Sequence, residues 1–433
     1  MSTKRRLKIS RLGPRRNKLS TRDIAILNRS LKRAVVVPTV GALFLIQLTG
    51  VYVMDWWFHY QVNDYSMRFW PHVIRAAFVL QLVAYTALHL KRTSRLNVAR
   101  FQFLWLGILT LRFLFHGNFE SQVVLYMSYY AYWVLVMWAA YNLVVDGHLT
   151  PRQVAIAGML MNFLQVLRDA LYGLAGIWLG NPLGPGLNPA DAITNSAYPI
   201  LWFTLMQLLD TEVPFAGPVA LLGLMTIVLT MKRGAFIALI LAALAYGVTF
   251  ARIHRATGGI KRVAKIAAVV AIAIGVTAWL RAGSIAERWS DIEDPNQAGS
   301  GRAVFWTIIA LHWLNANLIT KVIGFGPHSV YETLATLWFS SSPAHDDWLM
   351  MIHEFGIIGM VAFGMVGWAL VRSMRWVIRD CPQLAPVFCA ALAAALCVTI
   401  FDLFAYNTET SFFAALIAVP LGMAARARPA EIE

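Results

Sequence analysis

GFGPHSVYETLATLWFSSSPAHDDWLMMIHEFGIIG, residues 324–359, holds the transition that decides the fold. A turn flanked by Gly324 and Gly326 leads through a polar and aromatic segment to His345, Asp346 and Asp347, and there the pattern changes. After Glu354 the chain is uncharged as far as Val371, and Gly356, Gly359, Gly364 and Gly367 recur along it. A bilayer is crossed by roughly 20 apolar residues. The run therefore predicts a membrane helix over 346–371, with glycines on related faces that let a neighbouring helix approach. Asp346 or Asp347 is placed to cap that helix, since a carboxylate at a helix N-terminus accepts backbone N–H groups and meets the positive end of the dipole.

The rest of the chain follows the same solvent. Of 433 residues, 58% are hydrophobic and 14% charged, and mean hydropathy is +0.59. Soluble domains carry roughly 25% charged residues. The composition predicts an all-α polytopic membrane protein of about 12 transmembrane helices. The spans fall near 34–54, 70–90, 99–115, 121–145, 154–178, 195–210, 214–231, 234–251, 264–280, 346–371, 384–402 and 409–425. They would form one bundle over 34–425, and no internal repeat divides it. Cys381, Cys389 and Cys397 show no Cys-x-x-Cys spacing, so neither a disulfide framework nor a metal site is expected.

Charge orients the bundle. Residues 1–33 carry twelve Lys and Arg against the single Asp23, most of the net +15. Such an arm suits either nucleic acid or anionic lipid, and the positive-inside rule already accounts for it as a cytoplasmic tail ahead of an uncleaved first span. With that end inside, the basic connections containing Lys91 to Arg100, Arg252 to Lys265 and Arg372 to Arg379, and the tail 426–433, all fall on the cytoplasmic side. The opposite connections differ in kind. Residues 55–69 are aromatic, 179–194 are rich in Gly and Pro, and 281–345 form the one long external loop. Within that loop 298–319 has the apolar spacing of an amphipathic helix lying on the bilayer or the bundle.

Several residues in the external layer stand out. Lys232 and Arg233 lie between spans seven and eight, where the orientation rule disfavours cations, so an anionic partner is indicated, the alternative being a helix end reaching for lipid phosphates. Arg302 follows Gly299, Ser300 and Gly301, and its guanidinium could bind phosphate oxygens in a bidentate way or simply pair with Glu293 or Asp294. His345, beside two carboxylates at the membrane surface, suits either a general base near neutral pH or a surface position. Glu354, one face down the same helix from Asp347, and Arg168 with Asp169 inside the fifth span are ionisable groups at membrane depth. Such groups line a substrate path or hold the bundle together. The GFG turn lacks both a GxGxxG continuation and a preceding strand, which argues against nucleotide binding.

Taken in order, Arg233-Gly234, Gly301-Arg302 with Trp306, Gly324-Phe325-Gly326, His345, Leu349, Glu354, Gly356 and Gly359 make a series. The series resembles the signature region of the O-antigen ligase and polymerase superfamily of bacterial envelope enzymes, over roughly residues 220–370. That resemblance implies a multi-pass inner-membrane glycosyltransferase of the GT-C type, with both termini cytoplasmic and 281–345 periplasmic. Its donor would be an oligosaccharide on undecaprenyl pyrophosphate, and its other partners the growing polysaccharide, membrane lipids and a chain-length or export co-polymerase, with no nucleic acid. No metal or nucleotide cofactor would be needed, because the lipid pyrophosphate is the leaving group. Carried over by position, Arg233 and Arg302 become pyrophosphate ligands and His345 the base, with Lys232, Asp346, Asp347, Glu354 and Arg168 as further substrate-binding candidates. The family often has Asn where this chain has Asp346. A polymerase is the first expectation, and a ligase that transfers a finished glycan to lipid A-core the second. A transporter or flippase for the lipid-linked sugar, or a non-catalytic component of an export complex, is a reading of another class.

Overall fold

A computed structural model describes residues 40–54, 65–178, 197–230, 232–255, 302–338, 344–402, 404–405 and 409–427, with isolated positions between 261 and 279. The basic tail 1–33, the Gly/Pro loop 179–194, most of the ninth span and the first part of the 281–345 loop lie outside them. All the regular elements among the described residues are helices. In chain order they are α1 (Val40–Met54), α2 (Tyr65–Leu88), α3 (Leu90–Thr93), α4 (Asn97–His116), α5 (Ser121–Val145), α6 (Pro151–Trp178), α7 (Ala197–Gln207) and α8 (Ala216–Leu229). There follow α9 (Arg233–Ile253), α10 (Arg302–Leu314), α11 (Leu318–Ile323), α12 (Ser329–Trp338), α13 (Asp347–Asp380), α14 (Ala385–Phe401) and α15 (Thr410–Arg426).

Four helices, in α4, α5, α9 and α13, are long and apolar enough to cross a membrane, and several shorter apolar helices accompany them. This is a polytopic membrane architecture. In the expected amphipathic segment 298–319, α10 covers Arg302–Leu314, and a second short helix, α11, starts at Leu318 because Asn317 caps it through its side chain; Gly324 ends α11 at φ 79.

Small residues and aromatics divide the packing between them. α14 is rich in alanine and packs along α9, whose buried face is Ala235, Ala238, Leu239 and Ala242, the i, i+3, i+4, i+7 stripe of one helix side. In lipid, helix association comes from close van der Waals contact rather than from expelling water, so such a seam of small side chains is the expected joint. α15 runs through the centre against α5, with Phe412 and Phe413 fully buried among Tyr52, Trp202, Phe203 and Phe404.

α13 departs from the sequence expectation in two ways. It runs on to Asp380, beyond the predicted end at 371, and it is broken at Gly356 (φ 66, ψ −168). In an unbroken helix the carbonyls of His353 and Glu354 would accept N–H groups four residues further on. Here they accept instead from Phe325 at 2.9 Å and Gly326 at 3.0 Å. The GFG turn is thus stitched to the break in α13. Arg112 of α4 completes the joint by donating to the carbonyls of Ile323 and Gly324, each at 3.0 Å.

Candidate functional site

The site begins with two helix starts. α9 opens with Lys232 as N-cap and Arg233 as its first residue, and α10 opens with Arg302; neither helix has an acidic residue in its first turn. Cations at the positive end of a helix dipole oppose the usual preference, which places anions there. Two such ends, both headed by arginine, form a setting that favours negative charge.

Both ends converge on the last turn of α14. Arg302 donates to the carbonyl of Phe401. Lys232 Nζ lies 2.6 Å from Asp402 Oδ2 and 4.4 Å from the centre of the Tyr198 ring. Gly234 makes the approach possible, because a Cβ there would meet Tyr198 Oη at 2.4 Å and Phe401 Cβ at 3.1 Å. The Arg233-Gly234 pair thus combines a charge with the only side chain small enough to bring α9 onto α14.

His345 completes the cluster. Its Nδ1–H donates to Asp402 Oδ1 at 2.9 Å, across 57 residues of sequence. The histidine has φ 53, a left-handed backbone that a non-glycine residue adopts at a cost of about 1–2 kcal/mol. Strain of this kind persists where surrounding contacts over-determine it. Here Trp306 Nε1 donates to the Ala344 carbonyl at 2.7 Å, and the Asp346 side chain accepts the Leu349 N–H at 2.8 Å as the N-cap of α13. Asp347 Oδ2 accepts the N–H groups of Phe404 and Ala405 at 2.8 and 3.0 Å.

Charge in the cluster is asymmetric. Burial would raise the Asp402 carboxyl, but the Lys232 ammonium, the His345 hydrogen bond and the Arg302 guanidinium outweigh it and hold the group well below the usual carboxylate range. Asp346 lacks such partners. Burial pushes its carboxyl up to about 6, against the opposing N–H groups of Leu349 and Trp348.

An apolar cleft adjoins this layer, lined in part by Trp348, Gly364, Gly367, Leu396, Thr399 and Phe404. Two of the lining residues are joined by a hydrogen bond, Trp348 Nε1 donating to Thr399 Oγ1 at 3.2 Å. The cleft and the cluster share the segment from Thr399 to Phe404, so a molecule with an anionic head and a hydrocarbon tail has both environments at one place.

The structure brings together Lys232, Arg302, His345, Asp346 and Asp347, and sets Arg233 next to Lys232. Two other candidates lie elsewhere. Glu354 is fully buried, facing the Tyr126 hydroxyl and the backbone of His328 and Val330 at the start of α12. Arg168 is buried beside Asp169, at 3.9 Å, in a group that continues through Gln165 to Tyr52 of α1. Asp347 turns its carboxylate to the backbone of the 404–405 segment and is 1% exposed. The residue that sequence reading missed is Asp402. A signal existed: it is an acid ending an apolar span, on the same side as Lys232 by span parity.

Residues 218–364, a third of the chain, match the family model described as O-antigen ligase. The matched segment contains Lys232, Arg233, Arg302 and His345 and stops short of Asp402. No curated protein matches the sequence at a significant level.

Proposed function

We propose that the protein, whose residues 218–364 match the family model described as O-antigen ligase, is a membrane glycosyltransferase that joins undecaprenyl-pyrophosphate-linked oligosaccharide repeats into exopolysaccharide. The observation that carries this reading is the convergence of the arginine-headed starts of α9 and α10 on the His345–Asp402 pair. The reaction takes place at the periplasmic face of a bacterial inner membrane, with both termini cytoplasmic.

The chemistry follows from the arrangement. Asp402 holds the Nδ1–H of His345, which leaves Nε2 as the acceptor for a proton. The hydroxyl of the acceptor sugar loses its proton to Nε2 as its oxygen attacks the anomeric carbon of the donor. The bond from that carbon to the pyrophosphate oxygen breaks, and undecaprenyl pyrophosphate departs with the electron pair. Arg233 and Arg302 bind the pyrophosphate, and the two helix N-termini favour the charge that grows on it. Lys232 keeps Asp402 ionised, so the histidine stays oriented through the cycle. The imidazolium then returns its proton to solvent. The apolar cleft at Trp348 and Phe404 supports a lipid-linked donor over a soluble one.

The description of the matched family favours a second reading, transfer of a finished glycan onto lipid A-core or another acceptor. The two differ in the acceptor alone. Purified protein supplied with the lipid-linked repeat by itself is expected to produce a ladder of longer lipid-linked products. Transfer that appears only when lipid A-core is added would replace the polymerase reading with the ligase one. Unchanged polymer in cells carrying Arg233→Ala, Arg302→Ala and His345→Ala proteins, each inserted normally, would sink both.

A further inference from the structure

Two carboxylates connect the same two segments in opposite directions. Asp402, after α14, reaches to His345 at 2.9 Å. Asp347, two residues beyond His345, reaches back to the N–H groups of Phe404 and Ala405, two and three residues beyond Asp402. The turn before α13 and the segment after α14 are therefore held at two points rather than one.

The second point is the better built. Asp347 is 1% exposed and one of its oxygens serves two backbone donors. That oxygen satisfies two buried backbone donors that would otherwise be costly to leave unpaired. The His345–Asp402 contact is more open, the histidine side chain being 30% exposed. Lys232 holds the Asp402 side chain and Arg302 the Phe401 carbonyl from their own helices, but between this segment and the turn before α13 the His345 contact by itself is a single hydrogen bond. The Asp347 contacts, running in the opposite direction, fix how those two segments meet. Phe404 adds a reason to keep the segment still, since its ring packs edge-on against Trp133 and Trp202 and lines the apolar cleft.

We infer that Asp347 is a positioning residue, whose carboxylate clasps the backbone of residues 404 and 405 and so fixes Asp402 against His345. It touches no substrate. The inference rests on the reading of His345 as the base, and predicts that loss of Asp347 is felt through Asp402.

The test uses the full-length protein in detergent or lipid with the lipid-linked oligosaccharide extracted from the cell that makes it, reading turnover and donor KM. Asp347→Leu removes the acceptor while keeping the branched shape, and is expected to lower kcat by about 30-fold or more with donor KM within about 3-fold. Asp347→Asn offers a neutral oxygen to the same donors and is expected to lower kcat by about 3- to 10-fold. In an Asp402→Ala background each of these losses is expected to shrink below about 2-fold, because the group being positioned is gone. Losses of equal size in both backgrounds would reduce Asp347 to a stability role and overturn the inference, as would wild-type turnover in either variant. If Asp347→Leu is not recovered folded, Asp347→Asn in the two backgrounds decides alone. Normal turnover in His345→Ala and Asp402→Ala would instead overturn the functional reading, a result distinct from failure at Asp347.

Discussion

Gly324 and Gly356 meet so closely that a Cβ on Gly356 would lie 2.6 Å from the Gly324 nitrogen, and one on Gly324 would lie 2.3 Å from the Glu354 carbonyl carbon. The pair is where the short helices α11 and α12 join the membrane helix that leads from His345. Gly356 also occupies φ 66, ψ −168, a region that is essentially glycine's alone.

Either glycine replaced by alanine would therefore meet backbone, which cannot move aside as a flexible side chain can. Gly324→Ala and Gly356→Ala are expected to cost about 2–4 kcal/mol each, from strained backbone and overpacking together. Thermal unfolding of the purified proteins measures it. Gly367→Ala is the control, since nothing lies within 4 Å of a Cβ there. Equal melting of all three variants would contradict the clasp.

Asp402 holds His345 and is itself held by Lys232. Asp402→Asn keeps the shape but loses the charge that selects the Nδ1–H tautomer, and is expected to lower turnover by about 100-fold or more, in the range found for general-base catalysis. His345→Ala should do no less. The double variant is expected to be little worse than the worse single one, because the two residues act as a unit. Kinetics of the three proteins on the lipid-linked repeat check this, and multiplying losses would refute it.

Gly234 admits α9 to the end of α14. Gly234→Ala would drive a methyl into Tyr198 Oη at 2.4 Å, displacing the start of α9 and with it Lys232. Activity is expected to fall by about 10-fold or more. Tyr198→Phe removes the obstructing oxygen, leaving the ring carbon at 3.7 Å, so the double variant should regain much of the loss. Absence of any rescue would show that Phe401, at 3.1 Å, is the true obstruction.

Asp346 supplies a pH dependence. Its carboxyl sits near 6 in the folded protein against 3.8 ordinarily, so the native state holds the proton more tightly than the unfolded one. The stability this gives is complete below about pH 4 and is lost as pH rises through 6. Asparagine imitates the protonated group and caps a helix equally well. Asp346→Asn is expected to melt higher than wild type by about 2 °C or more at pH 7.5, and the gap should close near pH 4. A gap independent of pH would rule out the burial effect. The family that the sequence resembles often has Asn at this position.

Much of the fold was legible because lipid imposes a one-dimensional code. Apolar runs announce helices, and basic connections announce a side, without reference to what touches what. Asp402 announced itself only as an acid at the end of an apolar span, because its two partners lie 57 residues away at His345 and further still at Lys232, and nothing in the flanking run from Ala394 to Phe401 points to either. The break at Gly356 was hidden for a related reason. A glycine that permits close helix packing and one that interrupts a helix look alike until the GFG turn is seen supplying the N–H groups for the carbonyls so freed.

The sequence by itself determined an all-helical membrane chain and the order of the motif residues around the Gly324–Gly359 stretch. Only the tertiary structure decided which of those groups meet. Asp346 became a helix cap, Asp347 a brace and Asp402 the partner of the histidine, while Glu354 and Arg168 fell into separate buried groups. Periodicity and charge are properties of a segment and its solvent, whereas a catalytic pairing depends on distances set by helices that pack from opposite ends of the chain.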